Sequence, residues 1–217
     1  MNSFDLRLQH AALRHEELNE AAMVAVRGFY TDPFFEFLAP KARTRDRGLF
    51  FFFRTALRHL GPGGKIVTLR DKDNRIVGVS AWLSPGGYPQ PISTQIAGMP
   101  GSFRALYRRP RALVDGTSYL NAVAKAHPKV PHWYLYLLVV DPEIQGRGGG
   151  TLLLNDQLPA IDTDGVGAYL ETQKHENVAF YRRFGFDLVT HLNPVSSGPP
   201  IHTLWRPGPL QRSLSDG

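Results

Sequence analysis

The stretch from Trp133 to Thr151, WYLYLLVVDPEIQGRGGGT, decides the fold of this chain. Its first part, Trp133 to Val140, is almost continuously apolar and predicts a buried β-strand. Asp141-Pro142 ends that run, and apolar residues at helical spacing from Thr151 to Ile161 predict a helix. A cluster of glycines therefore joins a buried strand to the amino terminus of a helix.

This glycine turn, Gln145 to Thr151, leaves several backbone N–H groups unobstructed by side chains. N–H groups at a helix amino terminus bind phosphate oxygens, so the turn predicts a phosphate site. ATP-type binding is disfavoured, because a P-loop needs a lysine before its Ser or Thr, and here Gly150 precedes Thr151. The dinucleotide pattern GxGxxG would need a third glycine at Thr151. A purely structural turn is the remaining alternative.

Apolar periodicity on both sides of this stretch predicts an α/β protein. Before it, the pattern predicts a strand at 4–8, helices at 16–29 and 44–60, and a hairpin of strands at 65–69 and 75–83. A Gly- and Pro-rich segment at 84–100 and a further helical stretch at 103–126 follow. After it come a strand at 166–172, a short helix at 177–184 and two strands at 186–191 and 201–205. The second half is thus a βαβαββ succession. Breaks are expected at Asp32-Pro33, near Pro110 and Gly116, and at Pro159.

The composition fits one globular domain over 1–207 and a loose tail over 208–217. The chain of 217 residues has no cysteine and no apolar run near the ~18 residues of a membrane span, which predicts a cytoplasmic protein without membrane contact. A formal charge of +6 favours anionic partners. The basic clusters lack interleaved aromatic residues and are interpreted as solvated helix faces rather than nucleic-acid sites. They are Lys41, Arg43, Arg45 and Arg47, and Arg104, Arg108, Arg109 and Arg111.

Two ordered motifs resemble those of the GNAT superfamily of N-acetyltransferases. Val140-Asp141-Pro142 followed by the glycine turn resembles its Q/R-x-x-G-x-G/A motif for acetyl-CoA, anchored here by Gln145, Gly148 and Gly150. Leu170-Glu171-Thr172, then Asn177, Phe180-Tyr181 and Gly185-Phe186, resembles its second signature. His132 to Leu135 and Gly198 to Arg206 look like the branch that contains puromycin N-acetyltransferase-like enzymes. Gly149 departs from the motif, which usually has an apolar residue there.

The resemblance implies a mixed, strongly twisted β-sheet with helices on both faces and acetyl-CoA held between two splayed parallel strands. Leu138, Val139 and Val140 would offer backbone groups to the pantetheine and the thioester. The pyrophosphate would be bound by Gln145, Gly146, Arg147, Gly148, Gly149, Gly150 and Thr151. From the next helix, Asn177, Phe180 and Tyr181 would border the cofactor. No metal is expected, because HENVA at 175–179 begins like HExxH but has Ala179 where the second histidine must stand.

Tyr181 is the predicted general acid. Asn177 and Tyr181 are four residues apart, so they share one face of a helix. A tyrosine with a pKa near 10 stays protonated at neutral pH and can protonate a departing thiolate, and in the superfamily the matching tyrosine does so. The alternatives are a packing role for Tyr181 and a helix-capping role for Asn177.

The general base and the acceptor are less well defined by the sequence. Glu171 is the candidate base, with a purely structural carboxylate as the alternative. Tyr134 and Tyr136 lie on one side of their strand, and they either meet the acceptor or only pack. The expected acceptor is a primary amine of a small molecule, in a pocket shaped by the segments 29–53 and 84–99. A homodimer is an option, and a non-catalytic acyl-CoA sensor is the alternative to an enzyme.

Overall fold

The computed structural model describes residues 6–9, 13–60, 63–88 and 110–209, which form a mixed seven-stranded sheet in the order β1-β2-β3-β4-β5-β7-β6. The strands are β1 (Arg7–Gln9), β2 (Lys65–Arg70), β3 (Ile76–Leu83), β4 (His132–Val140), β5 (Gly167–Thr172), β6 (Asp187–Leu192) and β7 (Ile201–Arg206). The described helices are α1 (His15–Phe29), α2 (Pro33–Leu38), α3 (Ala42–Arg58), α4 (Pro110–Ala126), α5 (Gly149–Asp162) and α6 (His175–Arg182). The predicted α/β class is confirmed.

One face of the sheet is covered by α1 and α3. Ala21, Ala22 and Ala25 of α1 are fully buried in this core, which also takes Phe53 of α3 and Val79 of β3. Small side chains on the buried stripe of α1 let its backbone lie close to the strands. We call this side of the sheet the α1 face.

The opposite face is covered by α5 and α6. Leu154 and Ile161 of α5 and Tyr181 of α6 pack with Leu135 of β4 and Leu170 of β5 in one apolar cluster. We call this side the α5 face. Because α5 begins at the glycine turn, this core lies directly beside the predicted phosphate site.

β4 loses one of its two neighbours along its length. Among the described strands it forms the one parallel pair, with β5, and that pairing runs only from His132↔Gly167 to Tyr134↔Tyr169. On its other edge β4 stays paired with β3, from Leu83↔Tyr134 to Gly78↔Val140, and the other edge of β5 stays paired with β7. The two parallel strands therefore separate after Tyr134, and we call the space between them the β4–β5 cleft.

A β-bulge accompanies this separation. Ala81 of β3 pairs with Leu137, whereas Trp82 pairs with Leu135, so Tyr136 is an extra residue in β4. A bulge bends its strand and increases the local twist. The bulge comes directly after the last pair between β4 and β5, so the carboxyl half of β4 bends away from β5.

Two of the predicted helix breaks are wrong, while the βαβαββ order of the second half is confirmed. α4 begins at Pro110 and runs through Gly116, and α5 continues past Pro159 to Asp162. Asn155 and Pro159 are both exposed. Water can therefore bind the Asn155 carbonyl, which loses its intrahelical partner because proline has no N–H.

The predicted break at Asp32-Pro33 is confirmed, and the structure adds a short helix after it. Asp32 is the N-cap residue of the short helix α2. Its Oδ1 accepts a hydrogen bond from the Phe34 N–H at 3.0 Å. Arg45 is not part of a solvated basic face. It is buried, donates to Glu36 Oε1 at 2.9 Å and to the Tyr30 carbonyl at 2.8 Å, and its guanidinium lies over the Tyr30 ring.

Several predictions fall outside the described residues. They concern most of the Gly- and Pro-rich segment (89–100), the start of the following helical stretch with Arg104, Arg108 and Arg109, and most of the tail (210–217). In the ranges that are described, no helix has both the length and the apolar character needed to cross a membrane.

Arg206 joins three elements on the α5 face. Its Nη1 and Nη2 donate to the two carboxylate oxygens of Asp162 at 2.5 and 2.8 Å, and its Nε donates to the Phe184 carbonyl at 2.9 Å. Asp162 ends α5, Phe184 follows α6, and Arg206 ends β7. The Arg206 side chain is only 7% exposed, so its charge depends on Asp162 for a partner.

We expect Asp162→Asn to lower the free energy of unfolding by about 2–4 kcal/mol, because it leaves a buried guanidinium without its counter-charge. Urea denaturation measures this loss. The control is Asp187→Asn, at an exposed position on β6, which should change stability by less than about 0.5 kcal/mol. Equal effects of the two substitutions would contradict a role for Arg206 and Asp162 in holding the helices.

Candidate active site

The glycine turn lies between β4 and α5, as predicted. Gly146 and Gly148 have φ angles of 76° and 86°, in the left-handed region that disfavours any side chain. A Cβ added at either position would meet nothing within 4 Å. Backbone conformation, not crowding, therefore requires glycine at these two positions, and the space beside them can receive a ligand.

Gly149 and Gly150 are required for close packing instead. A Cβ at Gly149 would lie 2.9 Å from Leu69 Cδ2 and 3.2 Å from Val140 Cγ1. One at Gly150 would lie 3.2 Å from Phe180 Cζ. The first turn of α5 is thus pressed against the sheet and α6. The glycine that departs from the GNAT motif, Gly149, fits this contact.

The amino terminus of α5 carries no side-chain cap. Gly148 is the N-cap residue, and the first intrahelical hydrogen bond runs from the Leu152 N–H to the Gly148 carbonyl at 2.9 Å. The N–H groups of Gly149, Gly150 and Thr151 precede that bond and have no intrahelical acceptor. The helix dipole adds a partial positive charge at the same end. These residues fit a pyrophosphate group.

The end of β4 is held from two sides. Gln145 Nε2 donates to the Val140 carbonyl at 3.0 Å, so this exposed side chain ties the turn to the end of β4. Arg27 of α1 donates from Nε and Nη2 to Asp141 Oδ2 at 2.7 and 2.5 Å. Arg147, between Gln145 and the helix, is exposed.

The backbone of the last β4 residues borders the cleft. Leu138, Val139 and Val140 pair with β3 along one edge, and in the described part of the chain β5 does not pair with them along the other. An unpaired strand edge presents N–H and C=O groups to any ligand beside it. Alternate residues of an antiparallel pair bond to opposite sides, and the bond from the Asp141 N–H to the Val77 carbonyl shows that Val139 faces β3. Leu138 and Val140 can therefore hydrogen-bond an extended ligand in the β4–β5 cleft, and the predicted backbone role of Val139 is wrong.

Tyr181 is buried on the α5 face, in the cluster that also includes Leu138 and Phe180. Its ring contacts those of Phe180 and Phe186, with centroids 5.2 and 5.9 Å away. Burial alone raises the pKa of Tyr181 above its usual value near 10. The phenol therefore keeps its proton throughout the neutral range and is available as a donor.

Asn177 is not a helix cap. Lys174 occupies the N-cap position of α6, and Asn177 lies in the first turn. Its Nδ2 donates to Thr172 Oγ1 at 2.9 Å, and the Lys174 N–H donates to the same oxygen at 3.3 Å. Asn177 therefore fastens α6 to the end of β5, beside the cleft.

Glu171 lies on the α1 face, where the Tyr134 hydroxyl donates to its Oε2 at 2.6 Å. Tyrosines surround its carboxylate. Burial and the nearby charge of Glu171 raise the pKa of four of them, and that of Tyr136 rises to about 12; they are Tyr88, Tyr134, Tyr136 and Tyr169. In the described residues the one basic side chain within ion-pair distance is His127, with Nδ1 3.7 Å from Glu171 Oε1. Glu171 is therefore not the arginine partner or backbone acceptor of the structural alternative.

The candidate acid and base lie on opposite faces of the sheet. Leu170 packs with Tyr181 on the α5 face, while Tyr169 packs with Tyr134 on the α1 face. Successive side chains of β5 point to opposite faces, so the side chain of Glu171, two residues after Tyr169, also lies on the α1 face. Because β4 and β5 have separated at this level, the cleft connects the two sides.

The histidines are less scattered than the sequence indicated. His127 Nε2 and His132 Nε2 are 3.1 Å apart, and the His127 ring stacks on Tyr88 with centroids 3.8 Å apart. His191 Nδ1 and His202 Nδ1 are 3.2 Å apart on β6 and β7. The sequence indicates the first pair only by the short distance between His127 and His132 along the chain, in HPKVPH at 127–132. Within the ranges described, no three His, Cys, Asp or Glu side chains are placed to hold a metal ion.

Comparisons with known proteins agree with this geometry. Residues 24–186, more than half of the chain, match the model of the Acetyltransferase (GNAT) family. A solved structure from Corynebacterium glutamicum, described as histone acetyltransferase HPA2 and related acetyltransferase, is 25% identical over 94% of this chain and 96% of that chain, with a TM-score of 0.68.

Two more distant structures share the fold. The ribosomal-protein-S18-alanine N-acetyltransferase of Escherichia coli is 13% identical over 93% of both chains, with a TM-score of 0.53. The mosquito arylalkylamine N-acetyltransferase like 5b is 15% identical over 94% of this chain and 100% of that chain, with a TM-score of 0.54.

The mixed sheet, the separating parallel strands and the glycine turn at a helix amino terminus agree with the family match. The chain belongs to the GNAT family and is an acetyl-CoA-dependent N-acetyltransferase. The acceptors of this family are amines of small molecules or of proteins.

Proposed function

We propose that this enzyme transfers the acetyl group of acetyl-CoA directly to a primary amine of a small molecule, with Tyr181 as general acid and Glu171 as general base. The observation that carries the proposal is the β4–β5 cleft, flanked by the glycine turn and Tyr181 on the α5 face and by Glu171 on the α1 face. Such an arrangement suits two substrates that meet from opposite sides of the sheet.

Acetyl-CoA supplies an acetyl thioester, joined through the pantetheine arm to a pyrophosphate. The backbone of Leu138 and Val140 would bind the arm and donate to the thioester oxygen as negative charge develops there. Asn177 and Phe180 would border the arm from α6. The pyrophosphate would be bound by the turn, at Gly146, Arg147, Gly148, Gly149, Gly150 and Thr151, with Gln145 holding the turn in place.

Tyr181 would give its proton to the sulfur of the departing CoA thiolate. The phenol is protonated at neutral pH and can donate when the carbon–sulfur bond breaks. Burial raises its pKa and so weakens it as an acid, which means that the transfer depends on the thiolate forming directly beside the hydroxyl. General acid catalysis of this kind contributes about 10² to 10⁴ in rate.

Glu171 would take a proton from the ammonium form of the acceptor, because only the neutral amine can attack. The Tyr134 hydroxyl holds the carboxylate in place, and the rings of Tyr88, Tyr134 and Tyr136 stand around it. Aromatic faces and a carboxylate together attract a cationic amine. This aromatic surrounding favours a compact small-molecule amine with apolar character.

The first test is cofactor binding at the glycine turn. Acetyl-CoA at a hundred times its dissociation constant should stabilise the protein by about 2.7 kcal/mol, seen as a rise in Tm. Gly148→Ala should abolish that rise, because a Cβ would project into the open side of the turn. The matched control is Gly185→Ala, at a glycine with φ of 81° after α6, which carries similar backbone strain and should keep the rise. A normal rise in the Gly148 variant would make the turn purely structural.

The second test is Tyr181→Phe, which keeps the ring packing and removes only the hydroxyl. We expect kcat to fall by about 10² to 10⁴ with little change in acetyl-CoA affinity. The assay is acetyl-CoA-dependent thiol release with a panel of small amines and amine-bearing peptides. Tyr30→Phe, away from the cleft, is the control. A kcat within a few-fold of the parent would remove Tyr181 as the acid, and turnover with peptides alone would contradict a small-molecule acceptor.

A further inference from the structure

We propose that Tyr136 limits the length of the acyl group that this enzyme transfers, because its ring closes the β4–β5 cleft beyond the thioester. The proposal rests on the proposed function, in which the arm of acetyl-CoA lies along Leu138 and Val140. It concerns the acyl donor rather than the amine. An acetyl group fits between Leu138 and the Tyr136 ring, whereas a chain of six carbons does not.

The cleft has one open end and one closed end. At the open end β4 leads into the glycine turn, where the pyrophosphate would be bound. At the closed end β4 and β5 are joined, and their last pair is Tyr134↔Tyr169. An arm anchored at the turn therefore runs backward along β4, from Val140 to Leu138. The acyl carbons come after the thioester, so they extend from Leu138 toward the closed end.

Helix α1 fills the α1 face near the open end. Gly28 of α1 lies so close to β4 that a Cβ there would collide with the Val139 side chain and would lie 3.3 Å from the Val140 carbonyl oxygen. Not even a methyl group fits between α1 and the strand at this level. An acyl chain therefore has no room beside Val139 and Val140 on the α1 face.

The α5 face beside the thioester is filled as well. Leu138 packs there in the cluster that includes Phe180 and Tyr181. In the proposed reaction Tyr181 protonates the thiolate, so the sulfur lies on this face and the acyl carbon is turned toward the α1 face, where Glu171 lies. The chain beyond the acyl carbon is thereby directed to the α1 side of the closed end.

The β-bulge puts Tyr136 in that space. In a regular strand, side chains two positions apart share a face, which would place Tyr136 with Leu138. Instead Tyr136 and Leu137 both pack on the α1 face, while Leu138 packs on the α5 face. Burial raises the pKa of Tyr136 to about 12, with further contributions from Tyr88 and from Glu171 on the other strand of the cleft. The Tyr136 ring is thus near both strands at the closed end.

Neighbouring rings hold Tyr136 in place. Its ring meets that of Tyr134 edge-on, with centroids 5.8 Å apart. Tyr134 is fixed in turn by its hydrogen bond to Glu171 at 2.6 Å and by an edge contact with the Tyr88 ring at 5.7 Å. Side chains packed in this way do not move aside without disturbing one another. A long acyl chain would therefore meet a fixed wall.

The spacing from Leu138 to Tyr136 suits a short acyl group. Two residues of strand span at most about 7 Å. Carbon atoms in contact stay about 3.5–4.0 Å apart, which leaves about 3 Å for carbons beyond the thioester carbonyl. An acetyl group has one carbon–carbon bond of about 1.5 Å beyond that point, and a hexanoyl group has five. The space therefore accepts acetyl and excludes hexanoyl.

The test measures kcat/KM for acetyl-CoA, butyryl-CoA and hexanoyl-CoA with one amine acceptor. The parent should use hexanoyl-CoA about a hundredfold less well than acetyl-CoA. Tyr136→Ala removes the ring and should bring these two donors within about tenfold of each other. Tyr136→Leu, which keeps an apolar side chain in the core, should raise the use of butyryl-CoA relative to acetyl-CoA.

Tyr136→Phe is the matched control, because it keeps the ring and removes only the hydroxyl. It should preserve the parent's ratio of hexanoyl-CoA to acetyl-CoA, whatever its effect on the rate. Unchanged donor ratios in both Tyr136→Ala and Tyr136→Leu would overturn the proposal. So would a broadened range of donors in Tyr136→Phe, since the ring would then not be the wall.

Binding measured without an acceptor keeps this proposal and the proposed function distinguishable. Calorimetry gives the dissociation constants of hexanoyl-CoA and of CoA itself. Their ratio, hexanoyl-CoA over CoA, should fall about tenfold from the parent to Tyr136→Ala. An equal ratio in the two proteins would overturn the role of Tyr136, even if the enzyme is active. A parent that acetylates no amine would instead overturn the proposed function, and the binding ratio would still decide the role of Tyr136.

Discussion

The separation of β4 from β5 after Tyr134 is the constraint on which the rest of the structure depends. A strand that loses a neighbour exposes a row of backbone N–H and C=O groups, which must be satisfied by something else. The bulge at Tyr136 turns β4 so that pairing with β3 continues while pairing with β5 cannot. The glycine turn follows the end of β4, while Glu171 and α6 belong to and follow β5, so the candidate groups lie on the two strands that separate and on the segments after them.

The glycine turn combines two separate physical requirements. Gly146 and Gly148 adopt positive φ angles with open space around them, so they shape the backbone into an anion-binding form. Gly149 and Gly150 instead let the first turn of α5 approach Val140 and Phe180 closely. The same short segment thus presents uncapped N–H groups to the cleft and locks α5 against the sheet and α6. A binding motif and a packing motif overlap in it.

Burial encloses a different chemical group on each side of the cleft. On the α5 face it encloses Tyr181 among apolar and aromatic side chains and raises the pKa of its phenol. On the α1 face it encloses the Glu171 carboxylate among tyrosines, and His127 is the one basic side chain of the described residues at ion-pair distance.

The sequence by itself determined the α/β class, the βαβαββ order and the position of the glycine turn, because these follow from local periodicity and turn chemistry. Local rules failed wherever distant residues decide: α5 continues past Pro159 on an exposed surface, and Arg45 is buried on Glu36 rather than solvated. Only the tertiary structure brought His127 against Glu171. Forty-four positions separate them in the chain, and no spacing rule relates the end of α4 to the end of β5. Their contact depends on how the sheet and its helices pack, which is a property of the whole fold.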